Sequence, residues 1–293
     1  MTLTGEEIVS QPATWAAALA RLPEAARVLP GSGEAVAVIG CGTSYFVAEC
    51  YARARELSGA GVTDAVVASE FTLGARPYDR LVAISRSGTT TEVVRVLESA
   101  PSSLGSVAVC AVDDSPVVAA AGTSILLGFA DERSVVQTRF ATSTILLLRA
   151  HLGEDVGQAI ADAGVAVIAS LPAVPADFTH FVFLGTGWTV GLADEAALKM
   201  REAALAWSES YPAMEYRHGP ISLADRDTLV WAFGVDDADL LRDIRATGAT
   251  VVGGAIDPLA ELVLVQRLAV DLAEAKGLDP DHPRHLTRSV VLS

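Results

Sequence analysis

Cysteine is scarce in this chain: Cys41, Cys50 and Cys110 are the only three among 293 residues, and they show no metal-ligand spacing. An odd count in that arrangement argues against a disulfide framework and against structural zinc, so all three are read as small buried or semi-buried side chains. Charge is thin too. Only 19% of residues are Asp, Glu, Lys or Arg while 51% are hydrophobic, which calls for large cores, and the length favours two domains over one. Positive charge is the scarcer sign. With 21 Lys and Arg against 36 Asp and Glu, the formal net charge of -15 leaves no basic stripe to neutralise a nucleic-acid backbone. Small phosphorylated ligands stay possible, because backbone N–H groups and hydroxyls can hold them.

Other absences narrow the class further. No run of about 18 apolar residues is present to span a membrane. The opening MTLTGEEIVSQPATW has neither the basic start nor the apolar core of a signal peptide, so a cytoplasmic protein is expected. Gly40-Cys41-Gly42 lacks the third glycine of a dinucleotide fingerprint, and no GxxxxGK[ST] occurs.

What is present is alternation. Helix starts at Thr4-Gly5-Glu6-Glu7 and at Ser10-Gln11-Pro12 precede short apolar runs at Ala35–Gly40, Ala65–Ala68, Arg80–Ser85, Ser106–Val112 and Ser124–Leu127. Helical runs are expected at Tyr45–Leu57, Thr90–Glu98 and Ser134–His151. Strands that are apolar throughout, alternating with helices, predict an α/β fold with a parallel sheet covered on both faces. After a helix near Glu154–Ala169 the pattern restarts with HFVFLGTGW, TLVWAFGVDD and ATVVGGAID, and helices at Ala238–Ala246 and Pro258–Ala275. FVFLGTGW echoes AVAVIGCGTS and LVWAFGVDD echoes LVAISRSGT, which predicts two copies of one α/β unit. The expected division is 1–30 for leading helices, 31–172 for a first, ligand-binding domain and 173–293 for a second, with a turn and an edge strand at the end.

Two Gly/Ser/Thr-rich loops fall where apolar strands end and helices begin. Cys41-Gly42-Thr43-Ser44 and Ser85-Arg86-Ser87-Gly88-Thr89-Thr90 would lie on the carboxyl edge of a parallel sheet, where ligands bind. Each alone reads more readily as a helix cap or turn. Together, at consecutive strand ends, they read as a phosphate cradle of hydroxyls, glycines and helix N-termini. The matching loops of the second copy carry Trp188 and the pair Asp236-Asp237, which suit a phosphate poorly.

The second copy instead carries EAALKMREAALAWSESYPAMEYRHGP. Its first half is rich in helix formers and has no Gly or Pro. Glu195, Lys199 and Glu202 fall within roughly 60° on one face, along about 10 Å, amid small and apolar neighbours. On a solvated face Glu195 and Lys199 would be an ordinary i,i+4 pair adding about 0.3–0.5 kcal/mol; buried, the stripe is expensive unless paired or used. His218 follows on an abrupt Gly-Pro turn, where a lone histidine reads as incidental or as an acid–base group.

GCGTS, SRSGTTTE, ERSVVQTRFAT, EAALKMRE and RHGP occur here in the order seen in tandem sugar isomerase (SIS) domain proteins. The chain resembles that family, which includes the isomerase half of glucosamine-6-phosphate synthase and related sugar-phosphate isomerases and deaminases. The resemblance covers Glu7 to Ser293. It implies two αβα sandwiches and a sugar-phosphate substrate, with Thr43, Ser44, Ser85, Ser87 and Thr90 holding the phosphate. It further implies Glu202 as the carboxylate that moves a proton between C1 and C2, with Lys199 and Glu195 beside it. His218 would help open the sugar ring in a neighbouring subunit's site, hence a homodimer. Arg86 stands where the family has glutamine, and would add charge to phosphate binding or point elsewhere. Arg288 stands where the synthase has a Schiff-base lysine. A guanidinium stays protonated and cannot form that imine, although it can bind a sugar oxygen or phosphate. The chain begins Met1-Thr2-Leu3 where the synthase has a glutaminase domain, so glutamine-dependent amination is not expected.

The resulting expectation is a phosphosugar isomerase or deaminase that needs no cofactor or metal. It would act on a hexose or amino-sugar 6-phosphate by ring opening and C1/C2 proton transfer. The alternatives are a noncatalytic phosphosugar sensor, against which the lack of a basic helix-turn-helix segment counts, and a phosphosugar lyase, which would share the phosphate loops.

Overall fold

The computed structural model describes residues 2–292. In chain order its elements are α1 (Leu3–Val9), α2 (Gln11–Ala20), α3 (Leu22–Ala25), β1 (Val36–Gly40), α4 (Thr43–Leu57), β2 (Thr63–Val67), β3 (Arg80–Ser85), α5 (Thr91–Ser99), β4 (Gly105–Cys110), α6 (Pro116–Ala120), β5 (Thr123–Leu126) and α7 (Arg139–His151). Next come α8 (Gly157–Ala166), β6 (His180–Gly185), α9 (Thr189–Ala204), β7 (Trp207–Pro212), β8 (Thr228–Phe233), α10 (Ala238–Ala246), β9 (Thr250–Val252) and α11 (Pro258–Ala275). They form two compact units: Ser10–Val156 with residues 287–292, and Gly157–Leu286 with residues 2–9.

The first unit holds a five-stranded parallel sheet in the order β2-β1-β3-β4-β5. Its strands are apolar on both faces because both are covered. Ala37, Ile39, Leu81, Ala83 and Ala108 pack with Val93, Val96 and Leu97 of α5 and Val117 of α6. The alternate residues Val36, Val38, Val82, Ile84, Val107 and Val109 are equally buried. Behind α4, helices α2 and α7 share a polar seam: Trp15 Nε1 donates to Thr142 Oγ1 at 2.9 Å, and Thr142 to Gln11 Oε1 at 2.7 Å.

The second unit repeats the order with one strand fewer, β7-β6-β8-β9, again parallel. Val182, Leu184, Val230 and Ala232 pack with Leu240 and Ile244 of α10. On the other face α9 lies on β6 and β8, backed by α11. Gly40 and Gly185 end the first strands of the two sheets and do the same work: a side chain on either would collide with the helix backbone four residues on, at Ser44 or Thr189. Gly42 and Gly187 follow at φ 55° and 54°, left-handed backbone that glycine adopts without strain.

The helix expected from Ser134 starts at Arg139 instead. The buried Glu132 carboxylate accepts from Thr138 N (2.5 Å), Thr138 Oγ1 (2.8 Å) and Arg139 N (2.8 Å), capping the helix there and holding 132–138 as a loop. The expected final edge strand is also absent among the described residues. The segment 287–292 bends at Arg288 and Ser289 and joins α5 through Thr91 N–H to Val290 O (3.3 Å) and Leu292 N–H to Thr91 Oγ1 (2.9 Å). Conversely, WSESYP forms edge strand β7, which its polarity conceals.

Candidate functional site

In the order 2-1-3-4-5 the chain leaves β1 and β3 in opposite senses, and ligands bind outside the carboxyl ends of strands at such a switch point. Both Ser/Thr-rich loops emerge there, since Ile39 pairs with Ala83 one or two residues before each loop begins. Thr43 and Ser44 are buried in the first turn of α4, and the Ser44 hydroxyl makes no hydrogen bond among the described residues. Cys41, in the same loop, is held toward the neutral thiol, since burial, and then the nearby Glu92 carboxylate, push its pKa up.

The loop after β3 is hydrogen-bonded with a definite polarity. Gly88 N–H donates to Ser85 Oγ (3.2 Å), and both Thr89 N–H (3.3 Å) and the Thr89 hydroxyl (3.0 Å) donate to Ser87 Oγ. A serine hydroxyl has one hydrogen and two lone pairs, so accepting through oxygen leaves its hydrogen available to an anion. Thr90 N-caps α5 in extended conformation without a side-chain cap bond, and its Oγ1 lies 3.5 Å from Ser85 Oγ. Gly88 (φ 68°) packs so closely on Ser115 that a Cβ would overlap the Ser115 hydroxyl. Ser85, Ser87 and Thr90 are thus gathered at one helix N-terminus, a donor-rich setting for a phosphate.

Arg86 takes a different direction from its neighbours. Its guanidinium is buried and donates to Ser134 O (3.1 Å), Val135 O (3.3 Å) and Arg288 O (2.7 Å), with Glu132 Oε2 at 3.6 Å. Of the two roles left open by the sequence, the geometry fits pointing elsewhere. Arg288 in turn donates from Nε to Glu132 O (3.1 Å) and ion-pairs with Asp131.

The equivalent strand ends of the second sheet are closed by their own side chains. Thr189 Oγ1 donates to Phe233 O (2.7 Å) and accepts from Thr186 N–H (2.8 Å), while Asp237 Oδ1 caps α10 by accepting from Leu240 N–H (2.7 Å). The Glu261 carboxylate accepts from Ala255 N–H (3.0 Å) and Trp231 Nε1 (3.3 Å); burial raises its pKa although those donors oppose the rise.

Helix α9 carries the ionic stripe, and the stripe is buried. Alanines 193, 196, 197, 203 and 204 let the helix pack closely, and the left-handed Leu205 (φ 49°) ends it. Lys199 Nζ lies 2.6 Å from Glu202 Oε2 and 3.2 Å from Glu195 Oε1. Side-chain exposure is 1% for Lys199, 1% for Glu195 and 19% for Glu202, so only Glu202 reaches solvent. Burial works against the ammonium, but the Glu195 and Glu202 carboxylates outweigh it and hold the Lys199 pKa above its ordinary value. The arrangement is a carboxylate with one face open beside a fixed positive charge, suited to moving a proton.

His218 ends a short 3₁₀ stretch, Ala213–His218, and is exposed ahead of Gly219 (φ 133°). Its neighbour Arg217 is fixed by Asp243 at 3.0 Å. The side chains that sequence reasoning passed over are Thr89, Glu132 and Ser289. Thr89 and Glu132 lie within quoted motifs, and the acid six residues before a Thr-Arg helix start was the available signal for Glu132.

No family model matches the chain. It is 31% identical to the isomerizing glutamine–fructose-6-phosphate aminotransferase of Pseudomonas putida, over 88% of this chain and 51% of that protein. The chain thus spans about half the length of the curated relatives it matches. Among solved structures, glucosamine-6-phosphate deaminase from Thermotoga maritima superposes with a TM-score of 0.84 at 26% identity, covering 99% of this chain and 100% of that one. Tagatose-6-phosphate ketose/aldose isomerase from Escherichia coli gives 0.79 at 20% identity, covering 97% and 98%. The chain is therefore homologous to the isomerase (SIS) part of the aminotransferase and has the SIS fold. No helix among the described residues is long and apolar enough to cross a membrane.

Proposed function

We propose that this chain is an aldose–ketose isomerase or amino-sugar phosphate deaminase acting on a hexose or amino-sugar 6-phosphate. The observation that carries the reading is the buried triad of α9, in which Glu202 alone is open to solvent and Lys199 is held as an ammonium. The deaminase and isomerase named among the similar structures support the same class.

In this reading Thr43, Ser44, Ser85, Ser87 and Thr90 hold the phosphate, His218 assists ring opening, and Glu202 takes the C2 proton of the open-chain sugar. Returning that proton to C1 through an enediol completes isomerisation without net change of atoms. From a 2-amino sugar the same transfer gives an imine, which water hydrolyses with loss of ammonia. Lys199 and Glu195 set the charge around Glu202. Neither Lys199, protonated, nor Arg288 offers an amine nucleophile, so the sugar is bound noncovalently.

The reading extends to organisation. The two units are two copies of one SIS domain, a view favoured by the shared strand order and by the Gly40/Gly185 turns. The protein is a cytoplasmic homodimer whose exposed His218 serves the neighbouring subunit. The test is a panel of sugar 6-phosphates incubated in deuterated water. Proton NMR should show exchange at C1 or C2 for at least one of them, and an ammonia assay separates deamination from isomerisation. No exchange with any member of the panel contradicts the proposal.

A further inference from the structure

We infer that Ser289 is a positioning residue for the phosphate loop, acting through Thr89 and held in place by Arg86; this rests on the phosphate reading of that loop. The Ser289 and Thr89 hydroxyl oxygens are 2.7 Å apart. Thr89 has one hydroxyl hydrogen, and its geometry directs that hydrogen to Ser87 Oγ at 3.0 Å. Ser289 must therefore be the donor to Thr89. The result is a one-way relay, Ser289 to Thr89 to Ser87. Ser87 Oγ, accepting also from Thr89 N–H at 3.3 Å, keeps its own hydrogen for a ligand. Without Ser289 nothing fixes that direction, since Thr89 can then turn and accept from Ser87, which would present oxygen lone pairs to an anion.

Arg86 explains how a residue some 200 positions away stays on the loop. Its guanidinium grips Arg288 O (2.7 Å), the carbonyl just before Ser289, and also Ser134 O and Val135 O. Its charge is balanced by Glu132, itself fixed by Thr138 and Arg139. Thr91 N–H to Val290 O and Leu292 N–H to Thr91 Oγ1 hold the next residues along the start of α5. Arg86 thus ties the phosphate loop, the 132–138 loop and the tail to one another. A glutamine or lysine lacks the guanidinium fork that reaches three carbonyls and a carboxylate at once.

Two measurements on the full chain test this. Calorimetric titration with inorganic phosphate should show Ser289→Ala weakening affinity roughly three- to tenfold, the range of one hydrogen bond, with Ser289→Thr restoring it. Arg86→Lys should also weaken binding, and the double variant should be no weaker than the worse single, since both act through one relay. Additive losses, or unchanged affinity in Ser289→Ala, overturn the inference. Hydrogen exchange of peptides covering 85–91, read without phosphate, should speed up in both single variants while those covering β4 stay protected; unchanged exchange at 85–91 likewise overturns it. Because that reading needs no ligand, wild-type protein that fails to bind phosphate would sink the phosphate assignment while exchange still decides the positioning.

Discussion

Lys199 Nζ and Glu202 Oε2 are 2.6 Å apart, with the lysine sealed inside α9 and the glutamate at the edge of solvent. The pair is neither wholly exposed nor wholly buried. An exposed i,i+3 pair adds little, and a fully buried one is often replaceable by apolar residues. Here one partner is buried and the other is available.

Removing the lysine takes a counter-charge from the buried Glu195 carboxylate and from Glu202 at the edge of solvent. Lys199→Met should lower stability by about 3–5 kcal/mol in urea titrations at pH 7.5. The pKa of Lys199 is raised in the folded state, so its contribution is complete below the unfolded value of 10.5 and fades as pH climbs through the higher folded value. The gap between wild type and variant should hold from pH 7.5 to 9 and narrow above pH 10.5. A gap of under 1 kcal/mol at pH 7.5 contradicts the buried triad.

Ser87 and Thr90 present hydroxyls at the N-terminus of α5. Replacing both with alanine removes two hydrogen bonds to a charged group, each contributing about 1.5–3 kcal/mol, and should weaken a sugar phosphate by about 10²-fold or more. Binding of the unphosphorylated sugar should be weak and unchanged. Equal affinity of wild-type protein for both sugars contradicts the cradle.

Much of this was legible in the sequence because buried parallel strands are apolar on both faces. β3, α10 and α11 fall where the pattern puts them, Arg80–Ser85, Ala238–Ala246 and Pro258–Ala275. The stripe of Glu195, Lys199 and Glu202 followed from helical spacing alone. What escaped is what only tertiary contacts decide. Ser134–Thr138 is kept out of the helix by the Glu132 carboxylate, which takes the first N–H groups further on. WSESYP becomes a strand because β6 offers it a free edge, not because of its residues. The polarity of Ser87 depends on Ser289, which no local pattern links to it.

His218 is exposed in its own unit, and the proposed dimer gives it a use in the neighbouring subunit. Chains carrying His218→Ala and chains carrying Glu202→Gln should each be inactive alone and regain activity when co-refolded as hybrids. Hybrids shown to form without activity contradict shared sites.

A guanidinium cannot form an imine, and the Glu195 and Glu202 carboxylates hold the Lys199 pKa above its ordinary value, which disfavours the free amine an imine needs. Borohydride added during turnover of a sugar 6-phosphate should leave both unmodified by peptide mass spectrometry. A sugar adduct on Lys199 would replace noncovalent proton transfer with Schiff-base chemistry.

Glu202 as the proton carrier is the claim on which the rest depends, and deuterium wash-in at C1 or C2 of a bound sugar 6-phosphate measures it directly. Glu202→Gln keeps the shape and loses the base. Exchange followed by proton NMR under saturating substrate should slow by 10² to 10⁴-fold, the contribution of a positioned general base. Exchange within a few-fold of wild type would remove Glu202 from the chemistry and leave the stripe on α9 a structural ion cluster.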